Sequence, residues 1–239
     1  MHLATILATA IAAAATISAK PSTQKVAAYT IDVPSLTVCA CPEVATITYS
    51  QSVPDRTPFP DTEVGLCYDD TVGNLYINFT AYGEEYFYYD PTMVTNDPIY
   101  EYEVMETFIS RGTADPQTYL EFEVNPGNVT WQAVVYNPSK VRAADSAFSP
   151  FLIEDPLADG FAAATTVDEP AQTWSSQVQI PLGLFNVDPG TAKGTEWRMN
   201  FFRIIVSEDT YPNQTLGSWS PPDEASFHMT PFFGHVTFE

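Results

Sequence analysis

Leu75, Ile77 and Phe79 alternate with Tyr76, Asn78 and Thr80. The same two-residue period returns where Leu120, Phe122 and Val124 alternate with Tyr119, Glu121 and Glu123, and again through Val129, Trp131, Ala133 and Val135. Successive side chains of a strand point to opposite sides of a sheet, so this spacing is that of strands with one buried face. Asn125-Pro126-Gly127-Asn128 separates two of these runs and predicts a hairpin turn. Further β-like runs cover 174–180, 198–206 and 235–238. Leu182 to Phe185, after Pro181, predicts a short helical turn; 144–166 has no clean period and predicts a long ordered loop. The chain has 20 prolines, which break helix interiors and do not suit a helical bundle. The expected fold is all-β: one antiparallel β-sandwich of jelly-roll type with about eight to ten strands.

The N-terminus reads as a secretory signal. Ile6 to Ile17 is an apolar run rich in alanine, and Thr16-Ile17-Ser18-Ala19 ends on a small residue, which places cleavage after residues 1–19. The run is too short for a membrane span and meets Lys20-Pro21-Ser22 at once. Residues 20–35 are expected as a flexible lead-in and 36–239 as one domain. Three sequons, at Asn78, Asn128 and Asn213, fit a secreted, extracellular glycoprotein. Of Cys39, Cys41 and Cys67, the first two are too close to bridge without strain, so Cys67 is expected to pair with Cys39 or Cys41. The chain has 30 acids and 9 bases, a formal charge of -21, which argues against nucleic acid or an anionic membrane as partner.

No nucleophile elbow, H-E-x-x-H zinc motif or P-loop is present. The stretch 96–109 is more telling. Read as a strand, it puts Tyr100, Tyr102, Val104, Glu106 and Phe108 on one face. Glu106 then sits among apolar neighbours, where a carboxylate without a partner is costly. It is satisfied either by an arginine, with Arg198 and Arg203 the candidates, or by ligand hydroxyls. The second signal is C-terminal: Trp219-Ser220-Pro221-Pro222, Phe227-His228-Met229 and Pro231-Phe232-Phe233-Gly234. Aromatic rings on proline-stiffened loops pack against the C–H faces of sugars, while carboxylates and amides bond their hydroxyl edges; taken singly, such rings more often close a core.

Read in order, these segments resemble the family 9 carbohydrate-binding modules and their fungal, oomycete and bacterial relatives. The series runs through Asp97 to Ser110, Tyr119 to Pro126, Trp174 to Pro181, Trp197 to Arg203 and Trp219 to Gly234, covering roughly 65–239. The resemblance implies a jelly-roll sandwich that binds poly- or oligosaccharide without cleaving it, including at chain ends. It implies two rings that sandwich a sugar, at Tyr100 and Phe227, each in place of the family's tryptophan. Glu106 matches the family's ligand-bonding carboxylate, and Glu123 stands where the family has a basic sugar contact. Trp219, His228 and Arg203 fall in matching segments and complete the candidate carbohydrate site. No cofactor is required; the family's calcium is structural, and Asp69 and Asp70 offer hard oxygen ligands for such an ion.

Two other readings remain. A glycoside hydrolase acting on O-glycosyl bonds in carbohydrate catabolism would need two carboxylates about 5 to 9.5 Å apart across a cleft, with Glu106 and either Glu123 or Glu103 as the first pair. A haem-binding sandwich would need axial ligands such as Met105, Met199 and His228.

Overall fold

The β-rich text folds as two stacked sheets, seen in a computed structural model that describes residues 31–239. The expected signal and most of the lead-in lie outside the described residues. The strands are β1 (Ser35–Val38), β2 (Ala45–Gln51), β3 (Pro58–Asp69), β4 (Asn74–Ala81), β5 (Val104–Arg111), β6 (Thr118–Val124), β7 (Thr130–Tyr136), β8 (Ser149–Leu152), β9 (Ala162–Asp168), β10 (Thr173–Pro181), β11 (Glu196–Ile205), β12 (Thr215–Ser218) and β13 (Gly234–Phe238). One sheet has eight strands in the order β1-β13-β11-β5-β6-β7-β8, with β12 also on β11; the other has five, β2-β3-β4-β10-β9.

This is the expected all-β sandwich, with more strands than the sequence suggested. The supposed loop at 144–166 contains β8 and the start of β9. Both are short or largely exposed edge strands, so neither carries an apolar alternation. Ser35, assigned to the lead-in, is already paired with His235, and β1 runs parallel to β13, whereas the other pairings between the named strands are antiparallel. The hairpin formed by β6 and β7 is as read: Asn128 takes φ 62°, and the Val129 amide donates to Asn125 Oδ1 at 2.9 Å. Leu182–Phe185 is a 3-10 turn.

The eight-stranded sheet is covered on both faces. Toward the second sheet it sends Met105, Ile109, Leu120, Phe122, Val124, Met199 and Phe201, which pack with Val64, Leu66, Ile77 and Phe79. On the other face Val104, Phe108, Tyr119, Phe202 and Ile204 pack under loops that bring in Val53, Phe227 and Phe233. Polar positions alternating with the main core therefore face a second apolar layer rather than water.

A buried ionic network ties the sheets together at one end. Arg203 and Glu84 pair at 2.7 Å with both side chains 0% exposed. Arg203 Nη1 also donates to Tyr82 O at 3.0 Å. Trp174 Nε1 donates to Glu103 Oε1 at 2.5 Å. Burial first, then the neighbouring Glu84, lifts Glu103 well above the ordinary carboxylate range. Burial alone would raise Glu84, but bonds from Glu103, the Tyr86 amide and Arg203 outweigh it and hold this carboxyl low. Glu103 is thus the protonated member of the two and Glu84 the charged one.

The disulfide joins Cys41 to Cys67, 26 residues apart, and Cys39 is the free, half-buried thiol. Closing a loop of that length stabilises the fold by about 3–4 kcal/mol. Urea unfolding should show a loss of that size in the Cys41→Ser, Cys67→Ser double variant and almost none in Cys39→Ser. Arg203→Met leaves Glu84 buried without its cation and should cost about 3–5 kcal/mol in the same assay. The folded state holds the Glu103 proton above pH 4.5, the ordinary glutamate value at which the unfolded chain releases it. That stabilisation is complete below the unfolded value and disappears as pH rises through the folded one. Thermal melts at increasing pH should therefore fall, and Glu103→Gln should remove about one proton's share of the slope, roughly 1.4 kcal/mol per pH unit.

Candidate functional site

On the face turned away from the second sheet lies a cavity of about 420 Å³, within the size range of small-ligand sites. Its floor comes from β5 and β6. Glu106 pairs in register with Glu123, and Phe108 with Glu121, so three glutamates project from neighbouring positions on one face. Their carboxylate oxygens come within 4.8 Å of one another. Glu106 is 2% exposed and Glu123 1%. Glu106 and Glu121 line the cavity. Both oxygens of Glu123 are sealed from solvent and have no hydrogen-bond partner among the described residues.

The walls are aromatic. Tyr100, Trp131, Phe148 and Phe227 all line the cavity. Tyr100 is not on a strand as expected: Ile99–Glu101 is a 3-10 turn and β5 starts only at Val104. Buried Ile99 anchors that turn, and Gln214 Nε2 donates to Tyr100 O at 2.6 Å, leaving the ring 44% exposed and edge-on to Trp131 at 6.0 Å. Phe227 stacks on Phe202 at 4.1 Å. Its loop is held by Asn200, whose Nδ2 donates to Ser220 O at 2.9 Å and whose Oδ1 accepts from the Ser220 amide at 3.1 Å. Asn137 Nδ2 fixes the next residue through His228 O at 2.8 Å.

Burial dominates the electrostatics. It pushes Glu106 up to about 8. Burial, then repulsion from Glu106, raises Glu121 well above the ordinary range, with Arg142 acting the other way. Burial, then Glu106 and Glu121, does the same to Glu123. His228 is pushed down to about 3 by burial and then by Arg142, so it is neutral at ordinary pH. It shares a 2.8 Å hydrogen bond with the Tyr119 hydroxyl through Nδ1, and its Nε2 lies 3.9 Å from Glu121 Oε1. Arg142 lines the cavity, stacked on Phe148 at 4.3 Å, and makes no ion pair with the three acids among the described residues.

The structure thus brings together Tyr100, Glu106, Glu123, Phe227 and His228. Two expected members do not belong. Arg203 sits on the opposite face of β11 in the Glu84 pair, so it neither meets the cavity nor satisfies Glu106. Arg198 is no partner for Glu106 either, being spent on Asp115 and the Phe233 carbonyl. Trp219 packs into the main core against Phe201, over Gly234, where any side chain would collide with its ring. Sequence reasoning missed Glu121, Trp131, Arg142 and Phe148. For Glu121 the signal was present: it shares parity with Glu123.

Asp69 Oδ1 accepts the Thr71 and Val72 amides and Asp70 Oδ1 the Ala192 amide, and neither falls in a cluster of three such ligands among the described residues. Among the described residues, the cluster of His, Cys, Asp or Glu able to surround an ion is Glu106, Glu121 and Glu123. Met105 and Met199 face the main core, on the other side of the sheet from His228, and cannot ligate one haem with it. The three sequon asparagines are all exposed.

No family model matches the chain. It is 52% identical over 205 residues to a protein of Arthroderma benhamiae named "Extracellular protein", covering 86% of this chain and 90% of that one. A Bacteroides uniformis protein provisionally named carbohydrate-binding superposes with TM-score 0.66 at 16% identity over 87% of this chain and all of that one. A family 9 carbohydrate-binding module from Caldicellulosiruptor kristjanssonii, solved with cellotriose, gives TM-score 0.54 at 13% identity, over 86% and 93% of the two chains; with glucose the values are 0.55, 14%, 86% and 95%. The chain therefore belongs to the same family as the Arthroderma extracellular protein, and its sandwich is that of the family 9 carbohydrate-binding modules.

Proposed function

We propose that this is a secreted, non-catalytic protein that binds an oligo- or polysaccharide in the cavity floored by Glu106. The observation that carries the reading is convergence. Tyr100, Glu106 and Phe227, far apart in sequence, line one cavity, and beside Glu106 both oxygens of Glu123 have no hydrogen-bond partner among the described residues. Rings offer flat apolar faces to C–H groups, and Glu106 and Glu121 offer acceptors to hydroxyls. The solved modules of like fold, with cellotriose and glucose bound, support saccharide as the ligand class. The leader-like N-terminus, the Cys41–Cys67 bridge and a relative named extracellular support secretion. No helix among the described residues is long and apolar enough to cross a membrane.

Binding is favoured over hydrolysis by where the acids sit. Glu106, Glu121 and Glu123 stand side by side on one floor rather than flanking a bond from two walls, and Glu103 is committed to Trp174 and Glu84. Affinity electrophoresis on a polysaccharide panel, with cellotriose and glucose as competitors, should show retardation. Tyr100→Ala and Glu106→Gln should each weaken retention by about tenfold or more, the former with an unchanged melting temperature because the ring is half out in solvent. Chromogenic glycosides should not turn over. Lack of retardation on every polysaccharide, or hydrolysis abolished by Glu106→Gln, would overturn the reading.

A further inference from the structure

One carboxylate oxygen from each of Glu106, Glu121 and Glu123 comes within 4.8 Å of the others at the pocket floor, and Glu123 is the informative member. Its side chain is 1% exposed, yet neither oxygen has a hydrogen-bond partner. A saccharide in the cavity reaches Glu106 and Glu121, which line it, but Glu123 is not among the lining residues. Arg142 does not fill the role, since its guanidinium lies over Phe148. Something smaller than a sugar, positively charged, and able to sit between three oxygens matches what Glu123 lacks.

We infer that Glu106, Glu121 and Glu123 form a site for a hard divalent cation, best matched by Ca²⁺, in the floor of the cavity. The donor set is all carboxylate oxygen, which suits a hard ion rather than a thiophilic one. Ligand number selects among hard ions. Calcium takes about 6–8 oxygens in a flexible shell, whereas magnesium keeps several of its waters and is usually held by only one or two carboxylates. One oxygen from each of the three glutamates lies within 4.8 Å of the others, close enough for a single ion to touch all three. Three glutamates, each mono- or bidentate, give three to six of the 6–8 ligands calcium takes, so water or hydroxyl oxygens on the cavity side complete the shell. The site lies apart from Asp69 and Asp70 and uses a glutamate, Glu121, that the sequence reading passed over.

Terbium luminescence tests this on the intact secreted protein without any sugar, so its result is independent of saccharide binding. Tb³⁺ replaces Ca²⁺ at oxygen sites, and Trp131, the register partner of Glu123 across β6 and β7, is placed to sensitise it. The expected result is saturable emission on indole excitation, reversed by Ca²⁺ and poorly by Mg²⁺. Glu123→Gln keeps the side-chain shape and should weaken Tb³⁺ at least tenfold, while Asp69→Asn should leave it unchanged. Trp131→Phe should extinguish the emission but keep the Ca²⁺-dependent rise in melting temperature. Should Glu123→Gln fail to fold, as judged by circular dichroism, Glu121→Gln carries the same expectation. Absence of saturable emission at millimolar ion, or full emission retained in the folded glutamine variant, overturns the site; the acids are then neutralised by their own protons.

Discussion

The structure turns on one sheet with two interiors. A strand in a half-solvated sheet can place charge on its outer face at little cost. Here the outer face of the eight-stranded sheet is roofed by loops, so alternation moves every second residue into a second enclosed layer. Glu106, Glu121 and Glu123 are buried because Met105, Phe122 and Val124 are buried on the other side. The apolar pattern that builds the core also fixes the position of the acids, and keeping them there without a cation is costly.

Two acid clusters in this fold reach opposite outcomes. Around Arg203, a full cation lets Glu84 keep its charge, burial and the neighbouring Glu84 let Glu103 keep its proton, and the group is closed to solvent and structural. Around Glu106, Glu123 has no described donor and no cation pairs closely with the three acids, and the cluster touches a cavity instead. Closely similar carboxyls therefore divide into one set that has been satisfied within the protein and one that has not.

Most of the fold was legible because β4, β6, β7 and β10 show the two-residue period plainly. β8 and β9 were not legible: Ser149–Leu152 is largely exposed, and 162–168 is a small-residue edge with little to bury. The site was legible in part. Glu106 stood out among apolar neighbours, and the C-terminal aromatics drew attention, but Trp219 and Arg203 were assigned to the wrong face. For Arg203 parity held the answer, since it shares alternation with Trp197, Met199 and Phe201 and opposes Phe202, the register partner of Glu106. Glu84 lies 119 residues earlier in a loop, and no local pattern announces that pairing. The outer polar face of β6 reads like a solvated one, because a roof made of distant loops leaves no trace in the strand beneath it.

The parallel pairing of β1 with β13 has a consequence for biosynthesis. Ser35 to Val38 find their partners at His235 to Phe238, almost at the other extreme of the described chain. A chain threading out of the ribosome or a translocon carries an orphan first strand through nearly the whole of its synthesis, joined toward the end by the open flank of β11. Only when β13 emerges does one short segment slide between them and give both edges a neighbour. Such late, long-range closure slows folding and leaves strand edges open to other chains in the meantime.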